Sequence, residues 1–557
     1  MGYAHEYAHA VLHRGRVPME PTDHVVDWAD GPRRGKYYPH AEVFALPGAE
    51  DVPDVPVAPG LLPETAGSLR ETAGEPGRAG APGFSLPLLS AMLRDSYGLT
   101  GRRLGIQANT DLAGLPFYPH ANWSRGTAGG GGLYPVGVHW ASGASGPLTP
   151  GLHHYDVHRH ALQRLLAGDV TDLVRDALGP DAPPEALATD QYLVLSVKYW
   201  QNSFKYNSFS FHVVCTDVGT LVQTWRIWAA ARGLRIAPLL WFDEARLAGL
   251  LGAEEGREGV FAVVPLHWDG ASSGGRGAAR SAPLTGPRDR PAVHHRPAVR
   301  HRDAERSRRL LDFGALDAMH AATAACADRR PDPGALAAAA ARPVAAGGRR
   351  EPLPAPQVPD TGVRRALRDR RSSFGRFDAR RRLTPVDLSA VLAACAATRL
   401  AGDTDPSGAV RPCGLYVFAN HVEGLEQGAY AYDPEPGELR LVAAGPQGAF
   451  LQRNYFLSNY NLEQAGAVLV PTVRTTAFLD ALGERGYRLA VGTAGAVAQS
   501  FYVAASALGL GAGVALGFDN VSFVERLDLS DGDEAPLLVM ALGHEHPAPA
   551  DFRHEIA

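Results

Sequence analysis

Lys205 and Tyr206 stand side by side in SFKYNSFSFHVVCTDVG, residues 203–219. A lysine amine becomes a usable base when desolvation lowers its pKa, and a neighbouring phenol can relay or polarise. The bare dipeptide reads equally well as ordinary surface. A second set is Arg370-Arg371-Ser372-Ser373-Phe374-Gly375-Arg376-Phe377. Guanidinium forks match phosphate oxygens two at a time, and a serine hydroxyl adds a short hydrogen bond; the alternative is the solvated end of a basic linker. A third is SRGTAGGGGLYP, residues 124–135, in which Gly129, Gly130 and Gly131 let backbone N–H groups approach an anion or a planar ring. Such a run is also a flexible loop. It does not follow a strand as GxGxxG, so no dinucleotide site is assigned. The fourth is the strand end Leu516-Gly517-Phe518-Asp519, where glycine can bring backbone against a ring edge.

Other chemistries lack residues. No GxSxG elbow, P-loop or HExxH occurs, which removes serine hydrolase, NTPase and zincin readings. His294, His295 and His301 lie among arginines and prolines and read as solvated linker. The four cysteines are scattered without a CxxC pair, so no metal is expected and the thiols are read as reduced, in a cytoplasm. A net charge of −5 gives no polyanion-binding signal, which argues against nucleic acid. The first residues lack the apolar core of a signal peptide. The longest apolar run, 501–517, is glycine-punctuated and reads as a buried helix followed by a strand, not as a membrane span.

The elements that must position these residues occur twice. GTLVQTWRIWAAARGL at 219–234 aligns without a gap to GAVAQSFYVAASALGL at 495–510, sharing Gly219/Gly495, Gln223/Gln499 and Gly233/Gly509 among others. The same offset carries Phe242-Asp243 onto Phe518-Asp519. One residue more carries Gly151, Tyr155 and Asp156 onto Gly428, Tyr432 and Asp433. A repeat this long is a tandem pair of domains, not a solenoid. Each copy reads as a helix, strands, a hairpin and a long helix, predicting an α+β sandwich with a mainly antiparallel sheet between helices. The first copy has a helix at LPLLSAMLRDSYGL, strands at VGVHWAS and QYLVLSVKYW, and a long helix from Gly219. The second opens near Gly362, with Thr384-Pro385 starting a helix and strands at CGLYVFA and AGAVLVPTV before a helix at 495–508. The expected division is an irregular N-terminal arm wrapping the first domain over 1–84, a first domain over 85–269, an Arg/Pro/Ala-rich linker with two short helices over 270–360, and a second domain over 361–557.

Together these motifs resemble the nitroreductase superfamily of flavin enzymes, and in particular its azoline dehydrogenases, which oxidise thiazolines and oxazolines to azoles in ribosomal peptide natural products. RRSS…RF at 370–377 looks like the superfamily's flavin-phosphate motif. RGTAGGGGLYP looks like its Arg…Pro-Ser-Gly-Gly-Ala-Leu-Tyr-Pro turn, and Gly517-Phe518-Asp519 like the strand end facing the isoalloxazine ring. FKYNSFSFHVVCTDVG matches the stretch that carries a catalytic Lys-Tyr pair. The resemblance implies two tandem nitroreductase-like domains forming an intrachain pseudo-dimer, and FMN as cofactor. Contacts would come from Arg370, Arg371, Ser372, Arg376, Arg125, Gly129, Gly130, Gly131, Leu516 and Gly517, with Lys205 and Tyr206 catalytic. Each copy departs from the pattern differently. The first lacks Arg-Arg-Ser and has Trp241 where Gly517 stands in the second; the second has Ala481-Leu482 at the Lys-Tyr positions and a truncated Arg411-Pro412-Cys413-Gly414 turn. One composite flavin site and one dead site per chain are therefore expected. The implied reaction is FMN-dependent oxidation of thiazoline to thiazole in a precursor peptide, with O2 reoxidising the flavin. The implied partners are that azoline-containing precursor and its cyclodehydratase, in a pathway of thiopeptide type, for a pseudo-dimeric monomer. Trp123, Tyr134 and Trp200 could line a peptide groove, but each reads more readily as core and is not assigned to the site. An NAD(P)H-dependent reductase of small nitro or quinone substrates, and a catalytically dead precursor-binding scaffold, remain alternatives.

Overall fold

The computed structural model describes residues 2–62, 82–104, 121–269, 297–345, 347–400, 402–530, 533–547 and 552–556. The early linker, including His294 and His295, lies outside them. Two antiparallel sheets carry the same strand order. The first runs Glu42–Ala45, Ala161–Ala167, Gly151–Asp156, Val136–Ser142, Gln191–Lys198, Glu258–Pro265. The second runs Arg350–Pro352, Glu438–Ala444, Gly428–Asp433, Cys413–Ala419, Ala467–Arg474, Val539–Gly543, Gly511–Ala515, with Glu534–Pro536 also paired to Ala467–Arg474. Even the irregularities repeat. The register slips between Leu152 and His153 in one hairpin and between Ala429 and Tyr430 in the other, which are duplicated positions. The fold is thus α+β, two tandem domains paired within one chain.

A helix apolar on every side has to be buried on every side. In the first central helix, Ser210–Ala230, every residue except Arg226 and Ala230 is buried; in the second, Gly486–Ala507, every residue except Ser506. The second is long and apolar enough to cross a membrane, yet 94% of its apolar window is buried inside this fold. The two helices pack against each other across the duplication axis. A Cβ placed on Gly219 would lie 2.0 Å from the carbonyl oxygen of Gly492, and one on Gly495 2.2 Å from that of Thr216. The shared Gly219/Gly495 position is therefore a point of close approach between the copies, and only glycine fits.

Several local expectations are corrected. The first central helix begins at Ser210, not Gly219, and the second at Gly486, not 495. Val213, Val214 and Phe211 suit a strand, but burial between helices overrides that preference. A helix at Val363–Asp369 precedes the arginine-rich segment. The arm is not irregular. Its Tyr3–His13 helix packs on Gly314–Ala324 and on two helices of the second copy, Thr475–Leu482 and Asn520–Arg526, while its Glu42–Ala45 strand extends the first sheet. At the other end, Phe552–Glu555 pairs with Gly101–Leu104 of the first copy. Both termini thus bind the halves together.

Candidate active site

The glycine turn lies across both central helices. Gly130 N–H donates to Asp217 Oδ1 at 2.7 Å and Thr220 Oγ1 donates to the Ala128 carbonyl at 2.9 Å. Thr127 Oγ1 meets Thr224 Oγ1 at 2.9 Å. Positions 217, 220 and 224 share one helix face, so a single stripe of polar residues holds the turn. From the second helix, Gln499 accepts from Ala128 N–H at 3.0 Å and donates to the Gly126 carbonyl at 3.1 Å. Gly131 and Gly132 adopt φ of 61° and 67°, which glycine tolerates at no steric cost.

Lys205 and Tyr206 end a short helix, Trp200–Tyr206, stopped by Asn207 at φ 41°. Their tips converge on the turn: a Cβ on Gly131 would lie 2.5 Å from Tyr206 OH and 2.6 Å from Lys205 Nζ. Burial, and secondarily the Arg34 charge, lower the Lys205 pKa. Burial, reinforced by Asp217, raises that of Tyr206. The phenol therefore stays protonated while the amine is pushed towards neutrality. Asp217 is itself fully buried, and burial pushes its carboxyl up to about 7 against the opposing Gly130 N–H bond; its Oδ2 has no partner.

The arginine-rich segment reaches this turn from the second copy. Arg370 donates from Nε to the Gly126 carbonyl at 2.8 Å and from Nη2 to the Arg125 carbonyl at 3.0 Å. Ser372 Oγ lies 2.9 Å from Tyr502 OH, which accepts from Val514 N–H at 3.0 Å. That contact ties the segment to the strand leading into Leu516 and Gly517. Arg371 is paired with Glu545, and Arg376 donates to the His546 carbonyl at 3.1 Å. The Gly517 carbonyl accepts from Phe456 N–H at 2.9 Å, and a Cβ there would meet only Leu457 and Phe456 side-chain atoms, at 3.9–4.0 Å. Arg14 of the arm donates to the Leu516 carbonyl and lies 4.4 Å over the Phe209 ring, linking this strand end to the segment after Tyr206.

The tertiary structure therefore brings the phosphate-type segment of one copy against the glycine turn of the other, with the Lys-Tyr tips on that turn and the Leu516–Gly517 strand end tied to both. Arg125 divides its roles. Its carbonyl meets Arg370, while its guanidinium lies between the Tyr97 and Tyr134 rings, 4.5 and 4.2 Å from their centroids. Asp217, Tyr502 and Arg14 join the site unexpectedly, and Gln499, a shared position of the repeat, gains its contact with the turn only in the fold. Asp217 and Gln499 carried a usable signal, a carboxylate and an amide inside helices that are mostly apolar; Arg14 carried none.

The duplicated counterpart of this place is filled. Trp241, the counterpart of Gly517, is buried, with its backbone N–H donating to Asp403 Oδ2 at 3.0 Å. Arg485 donates to the carbonyl of Leu240, the counterpart of Leu516, and pairs with Glu244 at 2.5 Å; Arg488 lies 3.1 Å from the same carboxylate. A Cβ on Gly402 would stand 2.0 Å from the Pro238 carbonyl oxygen, so the second copy packs directly on this segment of the first.

Residues 367–544 match the profile of the Nitroreductase family. A Methanocaldococcus jannaschii protein described as a nitroreductase is 33% identical over 153 residues, covering 26% of this chain and 70% of its own. The chain belongs to the nitroreductase family. A crystal structure from Anabaena variabilis, likewise described as a nitroreductase, covers 98% of this chain and 100% of its own at a TM-score of 0.68 and 20% identity, which shows the same fold over both copies. An Escherichia coli microcin synthetase complex with a truncated pro-peptide bound matches 32% of this chain and 70% of its own, at 22% identity and a TM-score of 0.27. This is an oxidoreductase fold whose family typically holds flavin. The residues here fit that group. Arg370, Arg371, Ser372 and Arg376 lie on one short segment that meets the glycine turn, a Cβ at Gly517 would meet only side-chain atoms at 3.9–4.0 Å, and glycine backbone faces the Lys-Tyr pair.

Proposed function

We propose that the chain is an FMN-dependent oxidase of azolines, converting thiazolines to thiazoles in a ribosomally made precursor peptide. The observation that carries this reading is the convergence of Lys205 Nζ and Tyr206 OH on Gly131 at the seam between the copies. Arg370, Arg371, Ser372 and Arg376 would hold the phosphate, and Gly129–Gly131 with Leu516–Gly517 would flank the ring. When bound, FMN supplies a two-electron acceptor for the hydride leaving the azoline Cβ, and O2 takes those electrons on as hydrogen peroxide.

The chain itself has to remove the Cα proton. Lys205 does so as a neutral amine, and its lowered pKa makes that form more accessible at working pH. Tyr206, kept protonated by burial, donates a hydrogen bond beside it and orients the ring nitrogen or the amine. The cyclodehydratase that makes azolines is the partner this chemistry requires upstream. The filled counterpart around Trp241 supports a single flavin per chain.

The test uses the purified full chain loaded with FMN and a synthetic thiazoline peptide in air, without nicotinamide. The expected product has lost two hydrogens by mass spectrometry, with one FMN released per chain on denaturation. Bleaching by NADPH with no change in the azoline would establish the small-molecule reductase instead. A chain that takes up no flavin from excess FMN would be a scaffold. Two flavins per chain would refute the dead site.

A further inference from the structure

Beside the glycine turn, between the arm and the first sheet, lies a cavity of about 570 Å³. Arg33, Arg34, Lys36, Arg125, Arg159 and Arg306 all line it, against one acid, Asp156. Lys36 is matched by Glu258, and Asp156 by Arg159 at 3.4 Å. Among the described residues, Arg33, Arg34 and Arg125 have no acidic partner, and Arg306 makes no ion pair, although its charge acts on Asp30. Arg33, Arg34 and Arg306 are exposed at the rim. Arg125 is different: it is only 3% exposed, its Nε has no hydrogen-bond partner, and its Nη2 reaches only the Arg34 carbonyl at 3.4 Å. The Tyr97 and Tyr134 rings offset part of the cost of burying this cation, and an anion arriving from outside would offset the rest.

The cavity and the Lys-Tyr pair are on one turn: Tyr134 lines the cavity three residues after Gly131, which abuts Lys205 and Tyr206. The volume is far larger than a simple ion needs, and the cations are spread from floor to rim instead of gathered at a point. Trp123, 42% exposed, and Tyr134 add aromatic surface between them. Carboxylates spaced along an extended peptide match that distribution. We propose that this cavity is a carboxylate-recognition site that captures an acidic segment of the peptide substrate and so holds the azoline near Lys205. The inference rests on the peptide-oxidation reading for its substrate. It also gives the Arg125 guanidinium a substrate role in place of the flavin contact implied by the resemblance.

The experiment is calorimetric titration of the FMN-loaded full chain with N-acetyl-tetraglutamate amide and, separately, with its tetraglutamine counterpart, at low and physiological salt. The acidic probe is expected to bind about tenfold tighter at physiological salt, and more so at low salt. The R33Q/R306Q variant, altered only at exposed positions, is expected to lose about tenfold of that affinity while keeping its flavin and its melting temperature. Equal affinities for the two probes, or an R33Q/R306Q variant that binds tetraglutamate as well as the parent does, would overturn the proposal. Loss of flavin from that variant would also overturn it, assigning the cavity to the cofactor phosphate. The two readings separate in one preparation. A chain that oxidises a thiazoline peptide without preferring tetraglutamate refutes only the cavity. A chain that prefers tetraglutamate through Arg33 and Arg306 but oxidises no thiazoline supports the carboxylate site and refutes the azoline chemistry.

Discussion

Glu244→Gln tests whether the counterpart site is a permanent part of the core. Glu244 is 4% exposed and is the acid that balances Arg485, fully buried, and Arg488. Burial by itself would push the carboxyl up, but the Arg488 and Arg485 charges outweigh it and hold the group at about 2, against an ordinary 4.5. That difference favours the ionised folded form by about 3 kcal/mol, at the low end of the ~3–5 kcal/mol lost when one partner of a buried pair is removed. Glutamine keeps an oxygen for the Val260 N–H, which donates to Glu244 Oε1 at 3.0 Å, so the substitution isolates the charge. The carboxyl is depressed on folding, so its contribution is complete above 4.5 and disappears as pH falls towards 2. Equilibrium urea unfolding followed by tryptophan fluorescence should show the variant about 3 kcal/mol less stable at pH 7. About 1 kcal/mol of that gap should already be gone at pH 4. Flavin content should match the parent, because Glu244 belongs to the filled counterpart and not to the composite site. A gap under about 1 kcal/mol at pH 7, where the ~3–5 kcal/mol of a broken buried pair is expected, would refute the reasoning.

Lys205→Ala should lower thiazoline oxidation by about 10²–10⁴-fold while the protein stays yellow; a colourless variant would mean a structural role. In the parent, turnover should rise with pH as the amine loses its proton, with an apparent pKa below the ordinary 10.5 of lysine. Arg34→Gln should move that limb to higher pH, since it removes a cation that disfavours the charged amine. Gly131→Ala adds a Cβ 2.6 Å from Lys205 Nζ at a φ of 61° and should lower turnover by at least about tenfold, beyond the ~1–2 kcal/mol backbone strain. Gly132→Ala, at a φ of 67° with nothing within 4 Å, carries the strain without the contact and is the control. Gly219→Val should cost about 3 kcal/mol or more by forcing the central helices apart, seen as lost soluble yield or a lower Tm; Gly249→Ala, with open space around it, should not.

Much of the architecture was legible because duplication leaves its mark in spacing. Gly219/Gly495 and Gln223/Gln499 are shared since both copies face the same axis. Gly219 and Gly495 allow the helices to touch, and Gln499 crosses to the turn while Gln223 donates to Ser500 Oγ at 3.0 Å. Thr384 and Pro385 announced a helix start because capping is local chemistry: Thr384 accepts from Asp387 N–H in the structure. The starts of the central helices were not legible. Ser210–Val218 and Gly486–Ala494 mix β-branched residues, aromatics and glycines, and are helical because each is enclosed by the other copy. The helix of the arm was hidden for a related reason, since the apolar residues it buries, Ala4, Tyr7 and Val11, find their partners in segments hundreds of residues away.

The sequence by itself determined which chemical groups exist and in which copy: Lys205 and Tyr206 in one, Arg370 to Arg376 and Gly517 in the other, and Trp241 where a second glycine would be. These are matters of residue type and register, which a one-dimensional pattern records. Only the tertiary structure decided that the surviving groups meet. Arg370 reaches the Gly126 carbonyl across 244 positions of chain, and Arg485 closes on Glu244 across 241. It also decided that the Arg125 guanidinium turns away from Arg370 into a cationic cavity. Burial, unpaired charge and distance arise only when segments remote in sequence are pressed together, and they are what turn a list of residues into a site.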